Sequence, residues 1–397
     1  MYDVIIIGGG FSGLILANTF VDRKFNNFLL LERNDRVGKK ILVTGNGRCN
    51  LTNESLSVDN YHGKRPSFCS YAIKKYDNGA IGDFFKTKGL LLTSEDGKVY
   101  PLSKVANCVL DTLRYNVADH VLTGCFVEDV KKSGDCFTVK VAGGAVYKSK
   151  KVVFAFGGKS GQNLGTDGRS YRLAENFGHK VTALYPSLVQ MKTEAFGKGL
   201  KGIKHYAKVG LYDGKRLVSE QEGDFLITDN GVSGNTIFSL SSRLAGLNEP
   251  TLKVDFIPEY PFEEILSALE NKVKAYGELY ASDLLTGYVH SKVASFLAGK
   301  SGISKLQLKN ITGNDIKSVI SLAKNFSAKV SGTYGFEFSQ VTHGGIETAD
   351  VDDKTFESKL VKGLYIVGEA LDIDGDCGGY NLQWAFSSAC CAAESIL

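Results

Sequence analysis

Gly8, Gly10 and Gly13 form a Gly-x-Gly-x-x-Gly turn between the apolar run at residues 4–7 and a helical apolar stripe at 14–22. Each spacing has a physical use. Gly8 permits the tight turn, Gly10 admits a pyrophosphate close to the backbone, and Gly13 lets the helix lie on the strand. The unpaired N–H groups at the helix start then meet the negative charge. Glu32 closes the next apolar run, 24 residues after Gly8, where a carboxylate accepts both ribose hydroxyls of an adenosine. Strand, glycines, helix and acid together predict a dinucleotide site.

A second chemistry-bearing segment lies more than 300 residues further on. Gly368-Glu369 follows the apolar run at 364–367, and Gly378-Gly379-Tyr380-Asn381 precedes another helical stretch. A helix N-terminus aimed at the N1–C2=O edge of a reduced flavin stabilises its negative charge by about 1 kcal/mol or more when partly buried. Glu369 or Asp372 could accept a ribityl hydroxyl, and Asp374 and Asp376 could be exposed turn residues. Residues 156–161 also follow a strand, but no helix or acid completes a second fingerprint there. One complete dinucleotide site with a distant ring-binding segment points to FAD rather than to a nicotinamide dehydrogenase.

Three further groups matter. The loop at 38–53 carries small and amide residues with Arg48, able to wrap a pyrophosphate and reach a flavin edge; a plain surface loop with a solvated Arg48 is the alternative. His343 precedes Gly344-Gly345 where the chain returns to its first pattern, and a proton donor there would serve hydride chemistry at neutral pH. A hydrogen-bonded structural histidine is the bland alternative. The eight cysteines show no metal or disulfide spacing, so a metal site is not expected and free thiols suggest a reducing cytosol. Cys390-Cys391 reads as small core residues, and Cys49 has no partner thiol at short spacing.

The elements that position these groups follow from the pattern. The chain has 397 residues, 43% apolar and 23% charged, enough for two or three packed domains. A net charge of +4 is too mild to argue for nucleic acid, and no apolar run approaches the length that spans a bilayer. Residues 1–185 alternate strands and helices, with strands at 4–7, 28–31 and 151–156 and a hairpin at 125–130 and 136–141. Residues 186–257 read as short antiparallel strands, 261–298 and 315–323 as helices, and 327–341 as strand again. The expectation is an α/β chain whose Rossmann-like FAD-binding domain is interrupted by a large insertion. That gives an FAD domain at 1–185 and 341–397, a β-barrel-like substrate domain at 186–260 and 325–340, and a helical domain at 261–324. The expected setting is cytoplasmic, with a small-molecule substrate and neither nucleic acid nor membrane as partner.

Four stretches carry a family resemblance: LVTGNGRCNLTN (42–53), GTDGRSYRLAENFGH (165–179), DFLITDNGVSG (224–234) and the segment 341–388. They resemble the bacterial three-domain flavoproteins described as aminoacetone oxidase-like or bile-acid enone reductase-like NAD(P)/FAD-dependent oxidoreductases. The resemblance covers nearly the whole chain, departing at Asn235 and Ala389-Cys390. It implies pyrophosphate contacts from Gly8, Gly10, Phe11, Ser12 and Gly13, and adenosine contacts from Glu32, Arg33 and the Val127 backbone. It places Lys39, Thr44, Gly45, Asn46, Arg48, Cys49 and Asn50 along the diphosphate or flavin, and Gly157 and Gly158 behind the adenosine. Gly368, Glu369, Gly379, Tyr380 and Asn381 would surround the ribityl chain and ring. The leading expectation is an NADH- or NADPH-linked reductase of an electron-poor C=C, with Tyr380 or His343 supplying the proton. The alternatives are an amine oxidase acting on a small amino ketone such as aminoacetone with oxygen as acceptor, and a non-catalytic flavin-binding sensor or partner-binding protein.

Overall fold

The run of buried residues that opens the chain forms the centre of a parallel sheet. In the computed structural model, which describes residues 1–397 apart from the side chain of Lys198, the chain divides into two compact units. One is Met1–Ser187 with Gly335–Leu397, the other Leu188–Tyr334. The first contains β1 (Tyr2–Ile7), α1 (Phe11–Asp22), β2 (Phe28–Leu31), β3 (Val121–Leu122), β4 (Val127–Ser133), β5 (Cys136–Val141), β6 (Val146–Phe154), β7 (Leu364–Ile366) and α2 (Tyr380–Ile396). Parallel strands run in the order β3-β2-β1-β6-β7. Val4, Ile5, Ile6 and Leu30 are fully buried, as continuous apolar strands covered on both faces must be.

The nine-residue β6 serves two partners along one edge. Its end, Val152 to Phe154, pairs in parallel with β7, while its start, Val146 to Ser149, pairs antiparallel with β5. The strand expected at 151–156 therefore begins earlier, because backbone pairing to the hairpin recruits polar residues that carry no apolar signal. It ends at Phe154. The late strand β7 thus completes a sheet begun at residue 2, and α1 packs on α2. Both ends of the chain share one apolar core that holds Phe20, Phe28, Phe154 and Trp384.

The second unit carries one antiparallel sheet of seven strands, dominated by the hairpin Lys204–Asp213 and Arg216–Thr228. These strands are longer than the short segments expected from the sequence. Gly210 and Gly223 interrupt the apolar alternation, but the backbone ladder runs on past both. The Tyr212 ring lies where a Gly210 side chain would stand. Helices Phe262–Ala275, Ser291–Lys300 and Gly313–Lys324 bury Leu269, Leu297 and Ile320 in the same cluster as Val209, Phe225 and Leu252 of the sheet. No helix among the described residues is long and apolar enough to cross a membrane.

The α1–β1 junction sets a test. A methyl group on Gly13 would lie 2.0 Å from the Gly8 carbonyl oxygen. Gly13→Val should cost about 3 kcal/mol in urea denaturation, by overpacking. A native midpoint would contradict this docking of α1.

Candidate functional site

The glycine turn separates into structural and approach positions. Gly8 has φ +112°, and a methyl group there would sit 2.4 Å from the Ala155 carbonyl oxygen. A methyl on Gly10 would meet nothing within 4 Å. Gly10 precedes α1, whose first turn has no capping side chain and no acidic residue. The N–H groups of Phe11, Ser12 and Gly13 therefore face outward without intrahelical partners, as the start of any helix leaves them. The Phe11 ring packs inward, 6.4 Å from Phe85, so only its backbone is available to a ligand.

Glu32 is held in a fixed orientation at the end of β2. Its Oε2 accepts from the Gly9 N–H at 2.8 Å, and its Oε1 accepts from the Asn34 N–H and side-chain amide, both at 2.8 Å. Cys125 N–H donates to the Glu32 carbonyl, which brings Phe126 and buried Val127 alongside. Arg33 donates to Asp167 at 2.9 Å and to the Gly165 carbonyl at 3.0 Å, over the Phe126 ring. Burial alone would raise the Asp167 carboxyl, but Arg33 and the Arg169 backbone and side chain hold it down at about 2. The ionised Asp167 thus fixes Arg33 next to Glu32.

The C-terminal segment meets this turn directly. Gly368 has φ +67°, and a methyl group on it would lie 2.2 Å from Ser12 Oγ. Its N–H donates to Ser388 and its carbonyl accepts from the Trp384 indole at 3.1 Å. Gly379 precedes α2, and again no side chain caps the helix and no acid occupies its first turn. A methyl on Gly379 would stand 2.4 Å from the Thr52 carbonyl and 2.8 Å from Asn50 Oδ1. Asn50 Oδ1 is buried with no hydrogen-bond partner, as is Thr52 Oγ1. Asn381 closes the preceding turn through the Gly375 N–H and carbonyl, each at 2.8 Å. Tyr380 is buried against Tyr61, and its hydroxyl donates to the Ser55 carbonyl at 3.4 Å.

The loop between them sorts its own residues. Gly45, Asn46 and Cys49 adopt left-handed backbone, with φ of 56°, 56° and 58°. Thr44 donates to the Ile41 carbonyl. Arg48 lies 4.6 Å above the Tyr100 ring, donates to its hydroxyl at 3.3 Å and pairs with Glu95, so it is a partnered charge whose side chain is still 39% exposed. Burial pushes the Cys49 thiol up to about 12, which leaves it without thiolate character. Lys39 pairs with exposed Asp35. Its neighbour Lys40, which the sequence pattern did not single out, grips both Glu369 oxygens at 3.0 and 2.7 Å.

Glu369 joins two further pieces. Its Oε1 also accepts from the Thr342 N–H at 3.0 Å, and a methyl on Gly158 would come 2.9 Å from that same oxygen. Thr342 Oγ1 accepts from the Lys159 and Ser160 N–H groups, tying Gly157-Gly158 to the strand that carries His343. His343 Nδ1 lies 2.7 Å from Asp374 Oδ1. Asp374 is fully buried, so the turn is not the exposed one that its composition suggested. Asp372 is buried too and accepts from the Lys64 N–H, burial pushing its carboxyl up. Lys40 and His62, whose Nε2 lies 2.7 Å from Asp376 Oδ1, carry no motif signal; only their spatial partners mark them.

Two helices that begin uncapped at glycine, a fixed Glu32 carboxylate and an orphan amide oxygen on Asn50 fit an FAD spread across both chain ends. Fold and site define an FAD-dependent Rossmann oxidoreductase. Residues 2–395 match the family described as HI0933-like protein Rossmann domain, and the chain belongs to that family. A 3-dehydro-bile acid delta(4,6)-reductase of Clostridium scindens is 35% identical over 410 residues, covering 100% of this chain and 99% of that protein. A ribosomal RNA dihydrouridine synthase of Escherichia coli is 27% identical over 412 residues, covering 100% of this chain and 98% of the relative. Its Haemophilus influenzae counterpart is 26% identical over 411 residues, covering 99% and 98%.

Gly10 provides the clean test, because its side-chain direction is open. Gly10→Val should leave the thermal midpoint of flavin-free protein unchanged while weakening FAD binding about tenfold or more, through lost backbone approach. Equal affinity in a fluorescence titration would remove this turn from the pyrophosphate site.

Proposed function

We propose that this protein reduces an electron-poor C=C conjugated to a carbonyl in a small enone, with NADH or NADPH as the electron donor. The supporting observation is the chemistry shared by its relatives. One is named for reduction of a 3-oxo bile acid at the 4,6 positions, the others for converting uridine to dihydrouridine. In both, the saturated C=C is polarised by a conjugated carbonyl. Bound FAD supplies the hydride chemistry.

The chain's own residues then have separate tasks. Glu32 and the start of α1 hold the adenylate and pyrophosphate, and the start of α2 lies along the ring edge. Lys40 fixes Glu369, and Glu369 fixes the backbone at Thr342. His343 donates the proton to the carbon that the hydride does not take. Asp374 sets the ring of His343 by binding Nδ1. Tyr380 is the weaker proton donor: its hydroxyl is turned to Ser55 and burial raises its pKa.

The RNA-acting relatives favour a second substrate for this same chemistry, a uridine base in RNA. The +4 net charge gives it little electrostatic help.

Anaerobic mixing with NADH or NADPH should bleach the flavin, and reoxidation should follow addition of an enone. Bleaching only by an amino ketone, with peroxide formed in air, would overturn the reductase reading. His343→Gln should lower turnover about 100-fold while flavin content holds. Undiminished turnover would take His343 out of the reaction.

A further inference from the structure

Beside the start of α2 lie two side-chain oxygens that no described residue satisfies. Asn50 and Thr52 are only 8% and 1% exposed, and neither Asn50 Oδ1 nor Thr52 Oγ1 has a hydrogen-bond partner. Buried oxygens left unbonded are costly, and native folds rarely keep two in one segment without a use. Their neighbours are bonded. Asn53 donates to the Gly378 carbonyl at 3.0 Å and accepts from the Ser55 N–H at 2.9 Å. The buried Leu51 donates its N–H to the Val99 carbonyl, and Thr52–Asn53 pairs antiparallel with Lys98–Val99. Residues two apart along such a paired segment project to one side, so Asn50 and Thr52 share a face. Gly379 presses on the same place, since a methyl on it would stand 2.8 Å from Asn50 Oδ1. The free N–H groups that open α2 and the two orphan oxygens therefore meet at one spot.

A flavin has one edge that matches this set. Around its pyrimidine ring, C2=O, N3–H and C4=O read acceptor, donor, acceptor. The helix start offers N–H donors, Asn50 Oδ1 an acceptor, and Thr52 a hydroxyl donor. We infer that Asn50 and Thr52 read the pyrimidine edge of the flavin. Asn50 Oδ1 accepts from N3–H, and the Thr52 hydroxyl donates to C4=O, with C2=O at the start of α2. The inference rests on the reading that the ring lies against α2. It adds Thr52, which the contacts implied by the family resemblance left out, and it gives Asn50 a stated atom to hold. Together the two side chains fix the ring within its own plane. The Thr52 donor also favours reduced flavin, whose carbonyl oxygens carry more negative charge than those of the oxidised form.

Titration of flavin-stripped protein with FAD, and with FAD methylated at N3, tests the contact. The native chain should bind the methylated form about tenfold more weakly or worse, because the methyl removes the donor and meets Asn50 Oδ1. Asn50→Ala opens room for the methyl and should bring the two affinities within about twofold. Thr52→Val keeps the shape, removes the hydroxyl and should leave the thermal midpoint of flavin-free protein unchanged. With FAD bound, that variant should show a two-electron midpoint potential lower by about 30 mV, equivalent to a tenfold shift between oxidised and reduced affinities. Equal binding of both flavins by the native chain overturns the N3 contact while the FAD site stands, as does an undiminished preference in Asn50→Ala. A native potential in Thr52→Val removes Thr52 from the edge. If the native chain binds neither flavin, the FAD site fails and the inference with it. None of these readouts uses turnover, so the enone reading is tested apart from them.

Discussion

Gly368 touches Ser12 so closely that even a methyl group at 368 would lie 2.2 Å from the serine hydroxyl oxygen. This contact is the constraint on which the first unit depends. It joins the first turn of α1 to the end of β7, across more than 300 residues of sequence. The sheet order makes it possible, because β7 enters next to β6 and β6 lies next to β1. Ser388 and Trp384 then hold Gly368 from behind, through its N–H and its carbonyl. With this seam in place, two helix starts lie on one body, and both lack a capping side chain. A buried uncapped helix start is costly without a partner, and a pyrophosphate or a reduced ring supplies one.

A second layer of polar contacts hangs on the seam. Glu369 follows Gly368 and binds Lys40 on one side and the Thr342 backbone on the other. Partly buried pairs of this kind add little net stability, since desolvation offsets attraction, but they fix geometry. Here they fix the strand that ends in His343. The buried turn at 372–376 continues the layer, meeting Lys64, His343 and His62 in sequence. Cys49, Cys390 and Cys391 are buried, with burial raising each thiol, so thiol chemistry lies outside this design.

Much of the first unit was legible in the sequence because its signals are local. The run at 4–7, the glycines and Glu32 lie within one supersecondary unit, and each has a single dominant physical use. Gly378-Gly379 before a helix was legible for the same reason. Lys40 and Lys39 were indistinguishable, since both are lysines in a loop and only the fold decides which meets Glu369. The burial of Asp374 was hidden because three aspartates among glycines have the composition of an exposed turn. Tyr61–His62 carries no periodic pattern, so its pairing with Asp374–Gly375 appears only in three dimensions. The long strands around Gly210 and Gly223 were masked by glycines that backbone pairing tolerates.

The central claim is that one dinucleotide is held by both ends of the chain, its adenylate on the first half and its ring on the last. Equilibrium titration of flavin-stripped protein with FAD and, separately, with FMN tests it most directly. One FAD should bind per chain, the thermal midpoint should rise with FAD concentration, and FMN should bind weaker by on the order of 100-fold, because it lacks the adenylate that Glu32 holds and one of the two phosphates at the start of α1. No saturable FAD binding, or FMN binding as tightly as FAD, would contradict it.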